Sequence, residues 1–517
     1  MPSTAHAIKP YTLTWTEKQL GHLLRRTLFG MSQKDLAFFK GKSMEQCVEI
    51  LTHSVPVPPP PVFHSPDDPV VPEGTSFVFA PYNKARDEDW TIYVRAQWIG
   101  QMVNPQQNMA AKMVLFWHNH FVIQFNNVKD SRYAYNYLHT IQKHATGNFK
   151  TLLREITTSP GMLVYLNGNQ NSKTNPNENY GRELQELFTI GKGPNSHYTE
   201  ADVKAAGKVL TGWKDDKLKI NSYFDSNNHN TSDKTFSAFY SNHVIKGKAG
   251  TDGAKETDEL IDMICAQTEV SKFLCRKLYR WFVHSHIDAQ VEENVIEPLA
   301  EIMRQSNYEV KPVLKALLSG AFFYDEKLIG AMFKSPADYF IGITREINFE
   351  IRKNKEGWFL LSEAITAMGQ DIGNPPTVAG WPAYYEFPSY DRNWVNSEYL
   401  SQRNRFKDFT FDGFNPPADP FIVVDYLPFV KQFLHPENPN KLIEDMLGAL
   451  CTIQPGTKQI AFLQTLLNGD KDKLKPWQQL WSVYKSNPND TKGKKELNDR
   501  LSKVFDVILL MPEYQIM

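Results

Sequence analysis

The chain lacks the charge bias and the long apolar runs that mark several classes of protein. Its 57 Lys and Arg residues are balanced by 58 Asp and Glu residues, for a net charge of −1 over 517 residues. No overall basic field therefore favours nucleic acid or an anionic membrane surface as a partner. No apolar run approaches the ~18 residues that a membrane-spanning helix needs, so we expect no membrane span.

Cysteine is also scarce. The four cysteines form no C-x-x-C pair, and Cys265 and Cys275 fall in an amphipathic helical stretch where free buried thiols are expected. The first residues, "MPSTAHAIKPYTLTWTEKQ", contain neither an apolar signal core nor a twin arginine. We therefore expect a cytoplasmic protein, and export after removal of a leader stays open.

Several familiar catalytic motifs are missing. The sequence contains no G-x-G-x-x-G, no P-loop, no H-E-x-x-H and no G-x-S-x-G. Dinucleotide binding, nucleotide binding and serine-hydrolase chemistry therefore have no support in the sequence.

Helical periodicity dominates what is present. Apolar residues recur at three-to-four spacing over residues 87–144, over residues 256–349 and in the last ~95 residues. Residues 219–247 are rich in Asn, Ser and aromatics and alternate in places, which predicts a β-hairpin or a long functional loop. We expect a mostly α, multi-helical globular fold with long loops and minor β-hairpin content.

Composition divides the chain into five segments. The run "VPVPPPPVFHSPDDPVVPEG" cannot form a helix or a central strand. We interpret it as a surface strap, with a docking peptide for another protein as the alternative. The segments are an N-terminal helical segment (1–54), the Pro-rich strap (55–85), a motif-bearing helical core with a polar loop (86–250), a second helical part with a Gly/Pro/Trp loop (251–410) and a C-terminal helical part (411–517).

One stretch, "NPNENYGRELQELFTIG", gathers hydrogen-bonding and ionised groups on a single helix. We predict that Asn175 caps this helix, that Pro176 takes its first position and that Gly191 ends it. At 100° per residue, one arc of the helix carries the polar residues that we take as catalytic candidates: Asn179, Arg182, Glu183 and Glu186. A neighbouring arc, with Leu184, Leu187 and Phe188, can face the core.

The ordinary alternative for this arc is a solvated face with ion pairs such as Glu178–Arg182 or Arg182–Glu186. We favour a site because the stretch contains no lysine and because amides are unusual on a solvent-facing helix. The sequence therefore predicts that Glu183 and Glu186 do chemistry.

The segment "FWHNHF" supplies two candidate metal ligands, His118 and His120. On a strand both imidazoles would share one face, whereas on a helix they diverge by roughly 200° and only one could reach a shared site. Neutral imidazoles together with Glu183 and Glu186 would suit a divalent metal ion. A core histidine bonded to the backbone or to a carboxylate is the alternative for either one.

Two loops contain candidate substrate-binding residues. Residues 371–396 form an irregular Pro/Gly/aromatic loop, and loops of this length inside a compact protein are usually functional. With 11 Trp, 22 Tyr and 32 Phe in the chain, large aromatic cores are the ordinary interpretation and a sugar- or polymer-binding cleft is the alternative. The candidates are Trp381, Arg392 and Trp394 in this loop and His243 in the earlier polar loop, which also holds His229, Asp233 and Lys234.

Five blocks of the sequence resemble, in the same order, the signature blocks of a large bacterial family catalogued as domain of unknown function 1800. The blocks are "LLRRTLFG", "FWHNHF", "NENYGRELQELFTIG", "YTEADVKAAGKVLTGW" and "PPTVAGWP…NWVN…LSQR". They extend from about Leu23 to Arg403, so the resemblance covers most of the chain. The longer form "YYEFPSYDRNWVNSEYLSQR" is similar to the variant of Bacteroidetes-type bacteria.

The resemblance implies little about the reaction. Family members often lie beside a gene for a sulfatase- or phosphatase-like protein, which implies such a protein partner and the metabolism of a polymer or a sulfated glycan. The family often has "ELHTLG" where this chain has Glu186 to Gly191, so Phe188 replaces a histidine. If that histidine binds a metal in other members, this chain lacks the ligand.

The leading hypothesis is therefore a hydrolase-like enzyme that acts on a glycan or another polymer. In one version His120, Glu183 and Glu186 hold a divalent metal that activates water. In the other version Glu183 and Glu186 divide the acid and base roles, and Arg182 keeps one of them ionised. A further carboxylate, Asp202 or Asp391, would serve an inverting reaction. The rival hypothesis is a non-catalytic scaffold or binding protein with a buried polar network.

Overall fold

A computed structural model describes residues 8–62, 68, 70–347, 350–351, 355–404, 422–469 and 475–517. Within these residues the fold is mostly helical with short antiparallel strand pairs, which confirms the predicted class. The predicted segment boundary at 410/411 lies outside the described residues.

The first half of the chain forms a series of short helices. They are α1 (Glu17–Thr27), α2 (Gln33–Phe39), α3 (Met44–Leu51), α4 (Asp87–Val103), α5 (Ala110–His120), α6 (Phe125–Val128), α7 (Ser131–Lys143), α8 (Phe149–Thr157), α9 (Pro160–Tyr165), α10 (Asn179–Glu183) and α11 (Glu200–Val209).

The second half continues in the same way. Its helices are α12 (Lys255–Cys265), α13 (Thr268–Phe282), α14 (Ala289–Val291), α15 (Glu297–Gln305), α16 (Val310–Ser319), α17 (Pro336–Ile347), α18 (Lys355–Ala367), α19 (Ser397–Asn404), α20 (Leu427–Val430), α21 (Pro439–Leu450), α22 (Thr457–Asn468), α23 (Trp477–Ser486), α24 (Thr491–Leu510) and α25 (Pro512–Gln515).

The strands are short and pair antiparallel. The predicted region 219–247 contains β2 (Asn221–Phe224), β3 (Lys234–Thr235) and β4 (Val244–Ile245). Strand β2 pairs with β1 (Trp213–Asp216), which precedes the predicted region, and β3 pairs with β4. In the first pair Trp213 lies opposite Phe224, and in the second Lys234 lies opposite Ile245. A third pair joins β5 (Glu350–Ile351) to β6 (Ile422–Val423).

Side-chain caps fix the starts of several helices. The Thr16 hydroxyl accepts a hydrogen bond from the Lys18 N–H at the start of α1. Ser32 and Asp35 form a capping box at α2, and Thr199 and Asp202 form one at α11. These caps satisfy backbone N–H groups that the helix itself leaves without partners.

Buried apolar residues from all five predicted segments form one connected core, from Tyr11 near the start to Tyr514 near the end. The division into segments therefore stays a prediction. In the part of the chain that the structure describes, no helix is both long and apolar enough to cross a membrane. Residues 371–396 contain only two short 3₁₀ turns, as expected for an irregular loop: Pro382–Tyr384 and Tyr390–Trp394.

Candidate active site

The polar helix of the sequence is a short α-helix that continues as a π-helix. Helix α10 ends at Glu183, and the π-helical turn covers Leu184–Thr189. π-Helical turns are rare, and they occur frequently at functional sites because they change the direction of side chains along one helix face. This feature could not be predicted from periodicity, which assumes one angle per residue.

The predicted start of this helix is wrong. Asn175 does not cap it, because α10 begins only at Asn179. The amides upstream form turns instead: the Asn177 N–H donates to Asn171 Oδ1 over 2.8 Å, and the Asn179 N–H donates to Asn177 Oδ1 over 2.9 Å. Asparagine side chains compete in this way with helical hydrogen bonding. The predicted end is close, since Gly191 adopts φ +86° directly after the π-helical turn.

Close packing of two glycines holds α10 in place. A Cβ atom on Gly181 would lie 3.0 Å from the backbone nitrogen of Gly207 in α11, so a larger residue would push the two helices apart by a few tenths of an ångström. On the same side, the Tyr180 hydroxyl donates to Thr157 Oγ1 over 2.8 Å, and Leu184 and Phe188 are fully buried. The helix is therefore anchored by its apolar side, as predicted, while Arg182, Glu183 and Glu186 are half-buried.

Glu183 differs from the neighbouring polar residues in its hydrogen bonding. Its Oε2 atom is buried and has no hydrogen-bond partner among the described residues. Burial, and then the negative charge of Glu186, raise the pKa of Glu183, while Lys192 and Arg182 oppose this rise. A carboxyl group of this kind holds its proton to higher pH than an ordinary glutamate, which suits it to donate that proton.

Glu186 lies one turn further along the helix and is ion-paired with Lys192. The negative charge of Glu186 also acts on Tyr198, whose pKa is raised to about 12 by burial first and by this charge second. On the other side of the pair, Glu183 interacts with Tyr165, and burial is the main cause of the raised pKa of that tyrosine. Two half-buried tyrosines therefore flank the two carboxylates.

Arg182 and Asn179 form their direct contacts with residues other than the two glutamates. The Arg182 guanidinium forms ion pairs with Glu178, at 3.3 Å, and with Glu200, rather than with Glu183 or Glu186. The predicted Glu178–Arg182 pair is thus present. Asn179 Nδ2 donates to the Leu166 carbonyl over 3.3 Å. Both side chains therefore bind the loops around the helix and position it.

The "FWHNHF" segment lies at the end of helix α5, so its two histidines diverge. His118 Nδ1 lies 3.2 Å from the Tyr137 hydroxyl, and His120 Nε2 lies 3.0 Å from the Phe188 carbonyl in the π-helical turn. Both rings are buried, and burial lowers the pKa of His118 to about 3 and the pKa of His120 well below its ordinary value. Both imidazoles are therefore neutral.

Both nitrogens of His120 are occupied. A carbonyl can only accept a hydrogen bond, so Nε2 carries the proton, and Nδ1 accepts from Lys277 Nζ over 3.0 Å. The only ring lone pair of His120 therefore already accepts a hydrogen bond from an amine, and in this arrangement the imidazole does not fit a metal site. The described residues also contain no group of three or more His, Cys, Asp and Glu side chains that could hold a metal ion. We therefore assign no step to a metal.

Lys277 on helix α13 is a residue that the sequence analysis missed. Its ammonium group lies 5.1 Å from the centre of the Phe273 ring, and that ring packs on Gly191 at the end of the π-helical turn. Burial, with a contribution from Arg280, lowers the pKa of Lys277 to about 7. No sequence signal could have indicated this contact, because Lys277 and His120 are 157 positions apart.

The Lys277 environment predicts a pH dependence of stability. Between the folded pKa of about 7 and the unfolded value of ~10.4, the unfolded chain binds more protons at this site, so stability rises with pH. We expect the free energy of unfolding of the wild type to increase relative to that of Lys277→Met across this window. Denaturant unfolding at a series of pH values measures the difference. The matched control is Lys272→Met on the same helix, whose lysine is paired with Glu297; an equal slope in both variants would contradict the assignment.

The loop tryptophans are core residues in this structure. Trp381 and Trp394 are 1% and 3% exposed, so direct contact with a substrate would require the loop to open. The backbone N–H of Trp381 donates to Asn119 Oδ1 over 2.9 Å, which joins this loop to the "FWHNHF" segment. Arg392 and His243 are exposed. Within the described part of the chain, neither residue forms a hydrogen bond or an ion pair with Glu183 or Glu186. The substrate-binding role of these four residues stays a prediction.

Other candidates in the loops and caps are occupied by structural contacts. His229 and Lys234 are buried against Glu256. Asp202 accepts hydrogen bonds at the start of α11 and from Ser237, and Asp391 accepts one from the Phe333 N–H over 3.0 Å. Among the described residues, neither aspartate forms a hydrogen bond or an ion pair with Arg182, Glu183 or Glu186, and the role of a further carboxylate stays a prediction.

A family model described as a protein of unknown function, DUF1800, matches residues 22–516, and the chain belongs to this family. No curated protein and no solved structure matches the chain.

Proposed function

We propose that this family member is a hydrolase in which Glu183 acts as the general acid and Glu186 as its ionised partner. The observation that carries the proposal is the half-buried Glu183 carboxyl group, with a raised pKa and an oxygen that no described residue binds. A carboxyl group held in this way costs stability, and such a cost is typical of groups kept for chemistry.

The two carboxylates have different surroundings, and this difference divides their roles. Lys192 stabilises the negative charge of Glu186, whereas Glu183 has no ion-pair partner in the described part of the chain. Pairs of titratable groups with opposed environments are the usual basis of acid and base assignments. The sequence predicts that Arg182 keeps one of the two glutamates ionised. We assign this role to Lys192 instead, while Arg182 and Asn179 position the helix.

A neutral glycan or a similar polyhydroxylated polymer suits this site best. Carboxylates at the site accept hydrogen bonds from hydroxyl groups, and half-buried tyrosines offer surfaces for a sugar ring. The carboxylates Glu178, Glu183, Glu186 and Glu200 outnumber the cations Arg182 and Lys192 that pair with them, which disfavours a polyanion such as a sulfated glycan. A sulfatase- or phosphatase-like protein partner stays a proposal.

The spacing of the pair favours a retaining reaction. Glu183 and Glu186 are three positions apart where α10 passes into the π-helical turn, and their charges act on each other. A close pair suits the ~5–5.5 Å carboxyl separation of retaining enzymes better than the wider gap of inverting ones. Glu186 would attack the anomeric carbon as Glu183 protonates the departing oxygen. Water would then release the sugar from Glu186, with Glu183 taking the proton of that water.

The test is to measure hydrolysis of a panel of neutral polysaccharides as a function of pH. The release of reducing ends reports the rate. Because Glu183 must be protonated and Glu186 ionised, kcat/KM should follow a bell-shaped pH profile, whose alkaline limb falls as pH rises through the raised pKa of Glu183. Lys192 lowers that pKa. We therefore expect Lys192→Met to move the alkaline limb to higher pH.

The control for this shift is Lys173→Met, which removes an exposed lysine from the loop before α10. The acid assignment is wrong if the limb stays in place in Lys192→Met or moves equally in Lys173→Met. No activity on any neutral polymer would remove the support for the substrate class.

The scaffold alternative has its own supporting observation. Motif residues such as Arg26, Asp202 and Arg403 are fully buried, and each forms hydrogen bonds within the core. A buried hydrogen-bond network of this kind can fix a fold without doing chemistry. It does not account for the unpaired carboxylate of Glu183, and for that reason the enzyme hypothesis is preferred.

A further inference from the structure

Two turns that are far apart in the sequence each present a large apolar side chain to solvent. Phe79 ends the 3₁₀ turn Phe77–Phe79 and is 77% exposed. Leu218 lies in the turn between β1 and β2 and is 93% exposed. The nearby Tyr82 is exposed as well. Single exposed apolar residues are ordinary, but several on one surface indicate a binding partner.

A single buried arginine joins these two turns. The Arg132 guanidinium on helix α7 donates to the Ala80 carbonyl over 3.0 Å and to the Lys217 carbonyl over 3.1 Å. Both carbonyls are thus within hydrogen-bonding reach of one guanidinium group. Because Ala80 and Lys217 are the direct neighbours of Phe79 and Leu218 in the sequence, the two exposed side chains belong to one surface.

Further hydrogen bonds hold both turns. Asp216 Oδ1 accepts from the Leu218 N–H over 2.9 Å and from the Lys219 N–H over 3.3 Å. On the other turn, the Tyr82 hydroxyl donates to the Lys129 carbonyl over 3.1 Å, which brings Lys129 to the same surface. The apolar side chains therefore project from turns that the rest of the fold fixes.

This surface is also rich in lysine, although the whole chain has a net charge of −1. It carries four exposed lysines: Lys84, Lys129, Lys217 and Lys219. Among the described residues only Lys219 of these four has an acidic partner, Asp216, at 3.9 Å. In segments 79–88, 126–130 and 216–220 the exposed acidic residue is Glu88. We call these four lysines, together with Phe79, Tyr82 and Leu218, the basic-apolar surface.

We propose that the basic-apolar surface binds the face of an anionic phospholipid bilayer, with Phe79 and Leu218 inserted beside the headgroups and the lysines on lipid phosphates. Interfacial binding grows with the buried apolar area and with the attraction of basic residues to anionic lipids, and this surface offers both. A side chain as exposed as Leu218 stands out from its turn, which suits a deformable bilayer better than the flat face of a folded protein.

The proposal does not depend on the proposed hydrolase, because the test measures binding and not catalysis. The full-length chain is sedimented with vesicles of phosphatidylcholine alone and with vesicles of phosphatidylcholine and phosphatidylglycerol in equal parts. We expect the wild type to bind the anionic vesicles at least about ten-fold more tightly than the neutral ones. The binding should weaken as salt is added, because salt screens exposed charges. Failure to bind the anionic vesicles would overturn the proposal and would leave an acidic protein as the partner that the lysines fit.

A pair of apolar variants tests insertion. Phe79→Ser combined with Leu218→Ser should bind the anionic vesicles at least about ten-fold more weakly, because two apolar side chains no longer leave water. The matched control is Leu434→Ser combined with Phe462→Ser, which changes side chains that are 83% and 56% exposed in the C-terminal part of the chain. All four side chains are exposed, so both variants should fold. Equal binding by the two variants would contradict the proposal.

A pair of charge variants separates this surface from the charge of the whole chain. The first variant removes three lysines of the basic-apolar surface: Lys84→Gln, Lys129→Gln and Lys217→Gln. The second removes one exposed lysine from each of α22, α23 and α24: Lys458→Gln, Lys485→Gln and Lys503→Gln. Both change the net charge equally. We expect the first to weaken binding by about ten-fold or more and the second to leave it nearly unchanged; equal losses would show that position does not matter and would overturn the proposal.

A fluorescent label on Leu218→Cys gives a second readout. The four native cysteines are buried, so a polarity-sensitive dye such as nitrobenzoxadiazole should react with the introduced thiol. Its emission should shift to shorter wavelength when anionic vesicles are added, and the same dye on Leu434→Cys should not respond. Binding of the chain to vesicles without a shift at position 218 would place the contact elsewhere and contradict the assignment.

Discussion

Replacing Glu183 with glutamine should lower kcat on a neutral glycan by about 10²–10⁴-fold, the usual contribution of a general acid. The melting temperature should stay nearly unchanged, because no described residue donates a hydrogen bond to Glu183 Oε2 that the amide would lose. The substitution also removes a carboxyl group whose charged form is disfavoured by burial and by Glu186. Steady-state kinetics and thermal unfolding of the same preparation measure both quantities.

Glu363→Gln is the matched control for this variant. Glu363 on α18 is half-buried, and burial raises its pKa as it does for Glu183, but it lies near Arg95 and Asp371 rather than near the polar helix. It should retain full activity. A collapse of folding in Glu183→Gln would favour the scaffold hypothesis, and an equal loss of activity in both variants would show that burial of a carboxyl group, rather than its position, matters.

The fold class was predictable because local signals agree with each other. Capping residues such as Ser32 and Thr199 mark helix starts, and glycines at 30, 191 and 212 adopt positive φ where helices or turns end. The polar alternating segment also contains the expected strands, β2 to β4. These signals depend on neighbours a few positions apart, which one sequence displays directly.

The candidate site was only half predictable for the same reason. The arc of Arg182, Glu183 and Glu186 follows from helical spacing, but the π-helical turn and the pairing of Glu186 with Lys192 do not. Likewise, helical geometry predicts that His118 and His120 diverge. It cannot show that His120 bonds to Phe188, because that contact joins segments 68 positions apart. Long-range packing decides which polar residues are free and which are structural.

Glu256 shows how a polar cluster can be structural. It is fully buried, lies 3.1 Å from His229 Nε2, pairs with Lys234 and accepts from the Lys248 N–H over 2.6 Å. Burial by itself would raise the pKa of Glu256, but the hydrogen bonds from these three groups outweigh it and lower the pKa below its ordinary value. The cluster therefore fastens the strand-bearing segment onto helix α12.

Replacing Glu256 with glutamine should cost about 3–5 kcal/mol in the free energy of unfolding, because it leaves the Lys234 ammonium buried without a counter-ion. Urea unfolding monitored by circular dichroism measures this loss. Since the pKa of Glu256 is lowered in the folded state, its stabilising effect is complete above the ordinary carboxyl value of ~4.3 and disappears as pH falls through the lowered pKa. The difference between wild type and variant should therefore shrink in acid.

Two further variants separate charge burial from lost packing. Lys234→Met combined with Glu256→Met removes both charges, and it should recover most of the stability that Glu256→Gln loses, because no ion is then left unpaired. Asp233→Asn breaks the exposed Asp233–Lys246 pair in the same segment and should change stability little. If the double variant is as unstable as Glu256→Gln, packing of these side chains rather than the pairing of their charges holds the segment. Lys234 and His229 would then again be candidates for a catalytic role.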